Sequence, residues 1–490
     1  MARLTKNTFA PINRVPPEVL SLIPDHRETD KELIRLTHVC RSWREIFISR
    51  ASLWTFLGCE NLDKTRAYLE RSKTSSLEVN IWVRGMRCPY YAAFLLTIPH
   101  INRFKALSLT AFGDEINPFI PQLRSLAAPL LMELTVGVGP HANHFSGELF
   151  GGTLPSLCRL SLAGNLGFLP RQNLANLTTL VMRDVRDFAS GVTKLLDIFG
   201  RAPLLHEIKL QSALPRFPGS DAPNKRMVSL PHLKLLIIWD EPNHSILLDH
   251  LHIPIGAMVI LESRPCWQEV LPIPNCLPRS LDNLNNIIIS IDLDFEKGVT
   301  LRLNGLSGVL YLAAAWWGRD LPSPTTSHHA LKSLAMLPIS TTEKLAISWH
   351  RVLGQPDSEG TAAYCTLLRM ENLRTLTLAY CINRSFILAL NPAQNTLNTV
   401  VCPMLEELVL HVRDHEDDLY IGELLEMARE RASRGVKSPT IVIVNLEGRV
   451  SPEEALTLGS CVSCVEYKLA DTTPIWDALP GETKIRFFDW

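Results

Sequence analysis

The sequence predicts an α/β fold: an N-terminal all-α module over residues 12–58, followed over 59–490 by a long, irregular α/β solenoid of stacked repeats. Three observations predict it. Leu33, Leu36, Cys40, Trp43 and Phe47 recur at spacings of 3, 4, 3 and 4, which lines one face of a helix. A nine-residue leucine phrase returns along most of the remaining chain. The 490 residues are 46% hydrophobic and 20% charged, too apolar for a disordered chain. At roughly 150 residues per domain, length alone would suggest about three compact domains, an estimate that fails for repeats.

The first helix is predicted from Val15-Pro16-Pro17-Glu18-Val19-Leu20-Ser21-Leu22-Ile23. Prolines suit a first helical turn, where their missing N–H would be unpaired anyway. Pro24-Asp25-His26 ends it. Thr29-Asp30-Lys31-Glu32 has capping-box spacing, so a second helix is predicted from there through Phe47. Arg35, Arg41, Arg44 and Glu45 fall mostly opposite its apolar stripe. Ser49-Arg50-Ala51-Ser52 ends that helix, and Leu53-Trp54 supplies two large apolar groups to close the bundle. So small a module buries only a modest core alone and gains by packing against a partner or the rest of the chain.

These residues resemble an F-box. Val15-Pro16-Pro17-Glu18-Val19-Leu20, the leucine-rich stretch running into Val39-Cys40-Arg41-Ser42-Trp43-Arg44, and the closing Leu53-Trp54 follow that family's order and spacing. The resemblance is greatest to the F-box proteins abundant in mushroom-forming fungi. Two departures stand out: Val15 replaces the usual Leu, and the stretch between Ile23 and Leu33 is longer and more polar than in many members. The resemblance implies docking on the Skp-family adaptor of a cullin-RING ubiquitin ligase. It makes Val15, Pro16, Pro17, Glu18, Leu20, Ile23, Leu33 and Leu36 candidates for the adaptor face. Val39, Cys40, Trp43, Leu53 and Trp54 are then expected to pack the module. An apolar patch left by a small helical module suits protein binding.

After the module, Leu62 to Arg71 is predicted as a helix and Leu77-Glu78-Val79-Asn80-Ile81 as a strand. The leucine phrase then begins at Leu154, Leu174, Ala202, Leu230, Leu281, Met370 and Cys402. Its central anchors Leu157, Leu177, Leu205 and Leu233 stand 20, 28 and 28 residues apart, and Leu373 to Leu405 is 32. These intervals and the phrase resemble leucine-rich repeats, with irregular lengths and the tailing Asn or Cys mostly missing. Helices are predicted between strands. Ser190 caps one carrying Val192, Leu195, Leu196 and Phe199; Ala363, Leu367 and Met370 mark another; Ile421, Leu424, Leu425 and Ala428 a third. Thr440-Ile441-Val442-Ile443-Val444 reads as a strand. Such units cannot bury their apolar faces alone, so neighbours must stack. The section of about 240–345 is punctuated by prolines and β-rich, around Ile287–Ile291, Val299–Leu303 and Val309–Leu312. It either widens the repeat or inserts a hairpin layer.

Little of the sequence carries bond chemistry. Val136-Gly137-Val138-Gly139-Pro140-His141-Ala142 matches a dinucleotide fingerprint only superficially, because Pro140 removes a donor and no amphipathic helix follows. Cys461 and Cys464 form a single C-x-x-C with no second pair, against the four ligands of structural zinc. His328-His329 and His141/His144 lack acidic companions. Asp414 to Asp418 lacks the spaced ligands of a calcium loop. No catalytic residue, cofactor or metal is expected. Trp239, Trp267, Trp316, Trp317 and Trp349 are expected mainly in the core or lining the array.

Compartment and charge complete the reading. Met1 to Asn7 leads into no apolar segment, and the longest apolar run, Val309 to Trp317, is half of a membrane span. Eleven thinly scattered cysteines read as reduced thiols. A cytoplasmic or nuclear protein is expected, with no membrane partner. With 49 Lys+Arg against 50 Asp+Glu, the formal net charge of -1 argues against whole-chain polyanion binding while leaving room for a local basic patch, and no nucleic-acid partner is expected. The leading function is a substrate receptor joining an adaptor, and through it a cullin, to an unknown protein target. The alternatives are a leucine-rich-repeat scaffold outside any ligase, and an enzyme hidden in the irregular C-terminal half.

Overall fold

The structure, a computed structural model, describes residues 12, 15–20, 30–83, 89–139, 149–152, 154–164, 174–185, 192–213, 226–239, 247–248, 250–254, 257–263, 284–291, 299–305, 309–314, 339–349, 364–380, 383–394, 399–412, 421–437, 439–445 and 465–469. The fold is mixed α/β, with a helical N-terminal region and extensive parallel sheet. The chain divides into two compact units, one of residues 1–233 and 250–252, the other of 234–249 and 253–490.

The first unit begins with helices α1 (Pro17–Leu20), α2 (Asp30–Thr37) and α3 (Arg41–Ser49). Strand β1 (Phe56–Gly58), helix α4 (Leu62–Ser72) and strand β2 (Leu77–Val83) follow. Then come β3 (Phe104–Ala111), β4 (Glu133–Val138), β5 (Arg159–Ala163), β6 (Thr179–Arg183) and β7 (Glu207–Gln211). From β1 to β7 each strand pairs in parallel with the next in sequence. A short parallel pair, β8 (Val228–Ser229) with β10 (Leu251–His252), also belongs to this unit.

Alternation explains the core. In β2, Leu77, Val79, Ile81 and Val83 are buried, while Glu78, Asn80 and Trp82 face the other way. Register carries this alternation through the sheet. Val79, Leu107, Leu134, Leu160, Leu180 and Ile208 form one continuous buried row. Tyr68 and Leu69 of α4, Phe94 of the helix Pro89–Thr97, and Leu195, Leu196 and Phe199 of the helix Val192–Arg201 are buried as well.

The leucine phrase is a turn that launches a strand. In the four predicted instances of the first unit the anchor N–H returns to the carbonyl three residues back: Leu157 to Leu154, Leu177 to Leu174, Leu205 to Ala202, Leu233 to Leu230. From the next two residues, paired N–H groups converge on one carbonyl of the preceding turn. Met132 O accepts from Cys158 N and Arg159 N at 2.8 and 2.9 Å. Cys158 O accepts from Thr178 N and Thr179 N at 2.8 and 3.0 Å, and Thr178 O from His206 N and Glu207 N at 2.8 and 3.0 Å. The polar third residue adds a side-chain rung. Ser156 Oγ donates to Pro129 O at 2.7 Å, and Asn176 Nδ2 donates to Pro155 O at 2.8 Å. Ala128-Pro129-Leu130-Leu131 makes the same turn, an instance the sequence reading passed over.

The second unit contains β9 (Leu235–Trp239), β11 (Met258–Ser263), β12 (Leu284–Ile291), β13 (Val299–Gly305), β14 (Val309–Ala314), β15 (Lys344–Trp349), β16 (Thr375–Tyr380), β17 (Glu407–Val412), β18 (Thr440–Asn445) and β19 (Val465–Leu469). The helices Asn383–Leu390 and Ile421–Ser433 and a helical turn at 364–368 lie between strands in sequence. The phrase device recurs: Glu343 O accepts from Arg374 N and Thr375 N, Arg374 O from Glu406 N and Glu407 N. Asn372 Nδ2 donates to Ser340 O at 2.9 Å.

The β-rich middle resolves into an inserted layer. β12, β13 and β14 form an antiparallel meander. It enters the ladder in reverse order, β14 pairing in parallel with β11 and β12 with β15. The ladder thus continues across an insertion that reverses chain direction. The apolar run from Val309 begins as β14, and among the described residues no helix is long and apolar enough to cross a membrane.

One predicted element is corrected. The single helix expected from residue 29 through Phe47 is two, α2 and α3, separated by a turn at His38-Val39. His38 N and Val39 N bond three residues back, to Arg35 O and Leu36 O, tightening the last turn. Arg44 Nε donates to the carbonyl of Thr37 at 2.9 Å, holding the end of α2 against α3. Cys40, extended at φ -158°, starts the new helix.

Candidate adaptor-docking module

The N-terminal residues fold around a small aromatic core. Pro16 offers its carbonyl to Val19 N and Leu20 N, both at 3.0 Å, starting α1 as a proline-led first turn should. Trp43 and Phe47, one helical turn apart on α3, meet edge to face with centroids 5.7 Å apart. The 3₁₀ turn Ala51–Trp54 then brings Leu53 and Trp54 inward. Trp54 is completely buried, and its indole N–H donates to Phe47 O at 2.9 Å.

The module runs straight into the sheet. Trp54 meets Tyr68 of α4 edge-on at 4.9 Å, and the Arg71 guanidinium lies 4.3 Å from its ring centre. Thr55 O accepts from Glu78 N at 2.9 Å, and Phe56, Leu57 and Gly58 pair with Glu78, Val79 and Asn80. Cys59 N donates to Asn80 O at 3.2 Å. Burial pushes the Cys59 thiol up to about 12, so it is packing rather than a nucleophile.

The proposed site residues separate by burial. Pro16, Pro17 and Glu18 are exposed, and Val15 and Leu36 are half-buried. Leu20 and Leu33, expected on the adaptor face, are instead interior, at 2% and 6% exposure. Leu33 shares the inward side of α2 with Thr37, one turn on, whose hydroxyl is satisfied by Ile34 O at 2.6 Å. Ile23 lies outside the described residues. Trp43, Leu53 and Trp54 are buried, and Cys40 is half-buried. Val39, expected in the packing, is instead 59% exposed in the turn between α2 and α3.

The exposed apolar residues here are Ile12, Val19, Ile34 and Val39. The sequence reading gave Val19 and Ile34 no surface role. Ile34 had a signal: it is apolar and falls beside, not on, the 33–36–40–43–47 stripe. Together with Pro16 and Pro17 these residues are the apolar part of an exterior that also exposes Glu18, Lys31, Glu32, Arg35, Arg41, Arg44 and Glu45.

Among the described residues no cluster of three His, Cys, Asp or Glu side chains could hold a metal. Gly137 is an interior residue of β4, where a Cβ would stand 3.3 Å from Thr110 Cγ2, so the glycine serves strand packing. His141, His144, His328, His329, Asp414 to Asp418, Cys461, Cys464, Trp267, Trp316 and Trp317 lie outside the described residues. Trp239 is half-buried on β9.

No curated protein matches the sequence. Residues 12–60 match the F-box-like family model, a span that starts just before α1 and closes two residues beyond β1. The chain carries an F-box-like domain at its helical N-terminal end.

Proposed function

We propose that this chain is the substrate-recognition subunit of a cullin-RING (SCF-type) ubiquitin ligase. The F-box-like match over 12–60 carries the reading, since F-box domains in general bind a Skp-family adaptor. The docking module spans 12–58, and 59–490 forms an irregular leucine-rich-repeat-like solenoid that binds a protein target. Its sequential strand pairing and recurring turn support that repeat reading. The chain does no bond chemistry itself. It holds a target near a charged conjugating enzyme and raises effective concentration. Its place of action is the cytoplasm or nucleus.

The join supports this role. A receptor transmits position only if its docking module and its binding surface move together. Here the module's last strand is the first strand of the first unit's sheet, and Trp54 is clamped by Tyr68 and Arg71.

Co-purification with a Skp-family adaptor tests the proposal. The intact chain is expected to capture the adaptor, and Val19→Asp with Ile34→Asp, both exposed positions, to abolish capture without unfolding the chain. Failure of the intact chain to bind sinks the ligase role. Persistent capture by a chain lacking residues 1–60 removes the module from it.

A further inference from the structure

One basic side chain fastens the end of α4. Arg103 closes the 3₁₀ helix Ile98–Arg103, which leads directly into β3. Its Nε donates to Ser75 O at 2.9 Å and its Nη2 to Ser72 Oγ at 2.8 Å, acceptors 28 and 31 residues back in the chain. Ser72, the last residue of α4, is fully buried, and its hydroxyl donates in turn to Leu69 O at 3.0 Å. Between the two acceptors the chain leaves α4 through Lys73 at φ 51°. Left-handed backbone at a lysine needs such support from its surroundings.

The third arm of the fork meets a histidine. Arg103 Nη1 lies 3.4 Å from Nδ1 of His100, which is half-buried one turn back on the same 3₁₀ helix. A guanidinium has no acceptor, so this bond exists only where His100 Nδ1 is unprotonated, the ring being neutral with its proton on Nε2. Protonation removes the acceptor and sets a second cation against Arg103. Burial first, and the Arg103 charge second, hold the His100 pKa below its ordinary 6.5. Burial lowers the Arg103 pKa too, so a second charge beside it is costly. The other titratable groups on the neighbouring elements are Glu70 and Arg71 on α4, Lys73 in its turn, Tyr90 and Tyr91 on the helix Pro89–Thr97, and Lys105 on β3. Among all of these, only the Arg103 charge bears on His100.

We propose that His100 and Arg103 form an acid-sensitive clamp on the join between the docking module and the sheet. With His100 neutral, the fork is complete and α4 keeps its end, so that Tyr68 and Arg71 stay on Trp54. With His100 protonated, the fork loses one arm, the turn after α4 opens more often, and the α4 side of the join loosens first. The sign follows from the lowered value. The native state binds this proton less readily than the unfolded chain, so the clamp's contribution is complete above pH 6.5 and is lost as pH falls below it. The clamp is independent of any adaptor.

Hydrogen exchange of the full chain tests it, read by mass spectrometry at pH 7.5 and 5.5 and corrected for the intrinsic rate at each pH. Protection of the peptide covering residues 69–78 should fall about threefold or more at the lower pH, the size of one net hydrogen bond, while β5 and β6 keep theirs. His100→Gln offers an amide oxygen as acceptor and does not titrate, so it should hold the pH 7.5 protection at both values. His100→Lys, a permanent cation, should show the loosened turn at both. Should the Lys variant lose its cooperative melting transition, the comparison of His100→Gln with the parent decides. A loss of the same size in His100→Gln, a loss spread evenly over β5 and β6, or no loss at all overturns the clamp.

Discussion

Trp54 donates its indole N–H to the carbonyl of Phe47 at 2.9 Å, with both residues fully buried. That bond ties the end of the F-box-like module to its own third helix, while the same ring packs on Tyr68 of α4. Trp54→Phe keeps an aromatic but leaves the Phe47 carbonyl unsatisfied, which should cost about 1–3 kcal/mol. Trp54→Ala also opens a cavity and should cost about 3–5 kcal/mol. Urea denaturation of the full chain measures both. Limited proteolysis should then cut between α3 and α4 in the Ala variant first.

Thr342 occupies the anchor position of its turn, where neighbouring turns place Leu373 and Leu405. It is fully buried, and its hydroxyl has no hydrogen-bond partner. An unpaired buried hydroxyl costs about 1–3 kcal/mol. Thr342→Val, nearly equal in shape, should therefore stabilise the second unit by about 1 kcal/mol. A raised urea midpoint at unchanged slope is the expected result; a lowered midpoint means the hydroxyl is satisfied in solution.

These two sites show what the sequence made legible. The stripe through Trp43 and Phe47, the strand after each leucine anchor, and the helix over 192–201 follow from local periodicity, because each buries a face defined by its own spacing. The α2–α3 break did not. The bond that holds it, Arg44 Nε to Thr37 O, belongs to no periodic pattern, and the stripe reads the same across a turn as along a helix. The reversed meander was legible only as three strands, since pairing order depends on partners far away in sequence. At the docking module, residue types pointed to the family, but burial redistributed roles. Leu20 and Leu33 went inside, and Val19, Ile34 and Val39 stayed out.

Strand exits in the first unit share a left-handed residue: Gly164 after β5, Asp184 after β6 and Ser212 after β7, at φ 85°, 51° and 46°. Gly164 N and Asp184 N each reach the last carbonyl of the following strand, at 2.7 Å. A Cβ at Gly164 would stand 1.9 Å from Val138 O, inside any contact distance. Gly164→Ala should therefore destabilise by well over about 1 kcal/mol. Ser212→Gly should be neutral to stabilising by about 1 kcal/mol, because relief of left-handed strain outweighs the added freedom of the unfolded chain. Melting of the two variants should move in opposite directions, or only Gly164→Ala should move at all.

Arg431, in the helix Ile421–Ser433, is fully buried and donates to Val401 O at 2.7 Å and Cys402 O at 2.8 Å. Burial lowers its pKa, and the fork holds the turn in which Cys402 takes φ 48°. Arg431→Met removes the donor to Val401 O and one of two donors to Cys402 O, which keeps Leu405 N, and should cost about 2–5 kcal/mol. Arg431→Lys should recover little, because one ammonium cannot reproduce two fork-directed bonds. Equal stability of the Lys variant and the parent would remove the fork from this account.

The cysteines give each unit its own reporter. Cys59 is buried in the first unit and Cys402 in the second, and burial pushes both thiols up from 9.0 to about 12. Cys365 is exposed. At pH 8 a thiol reagent should consume Cys365 promptly, while Cys59 and Cys402 wait for their unit to open. The pH dependence follows from the raised values. The native state holds these protons more tightly than the unfolded chain, so their stabilisation is complete below pH 9 and is lost as pH rises toward 12. Peptide mapping of the labelled chain along a urea series should then give separate opening curves for Cys59 and Cys402. Thr342→Val should shift the Cys402 curve and leave the Cys59 curve in place. A shift of both would mean that the two units unfold as one cooperative body.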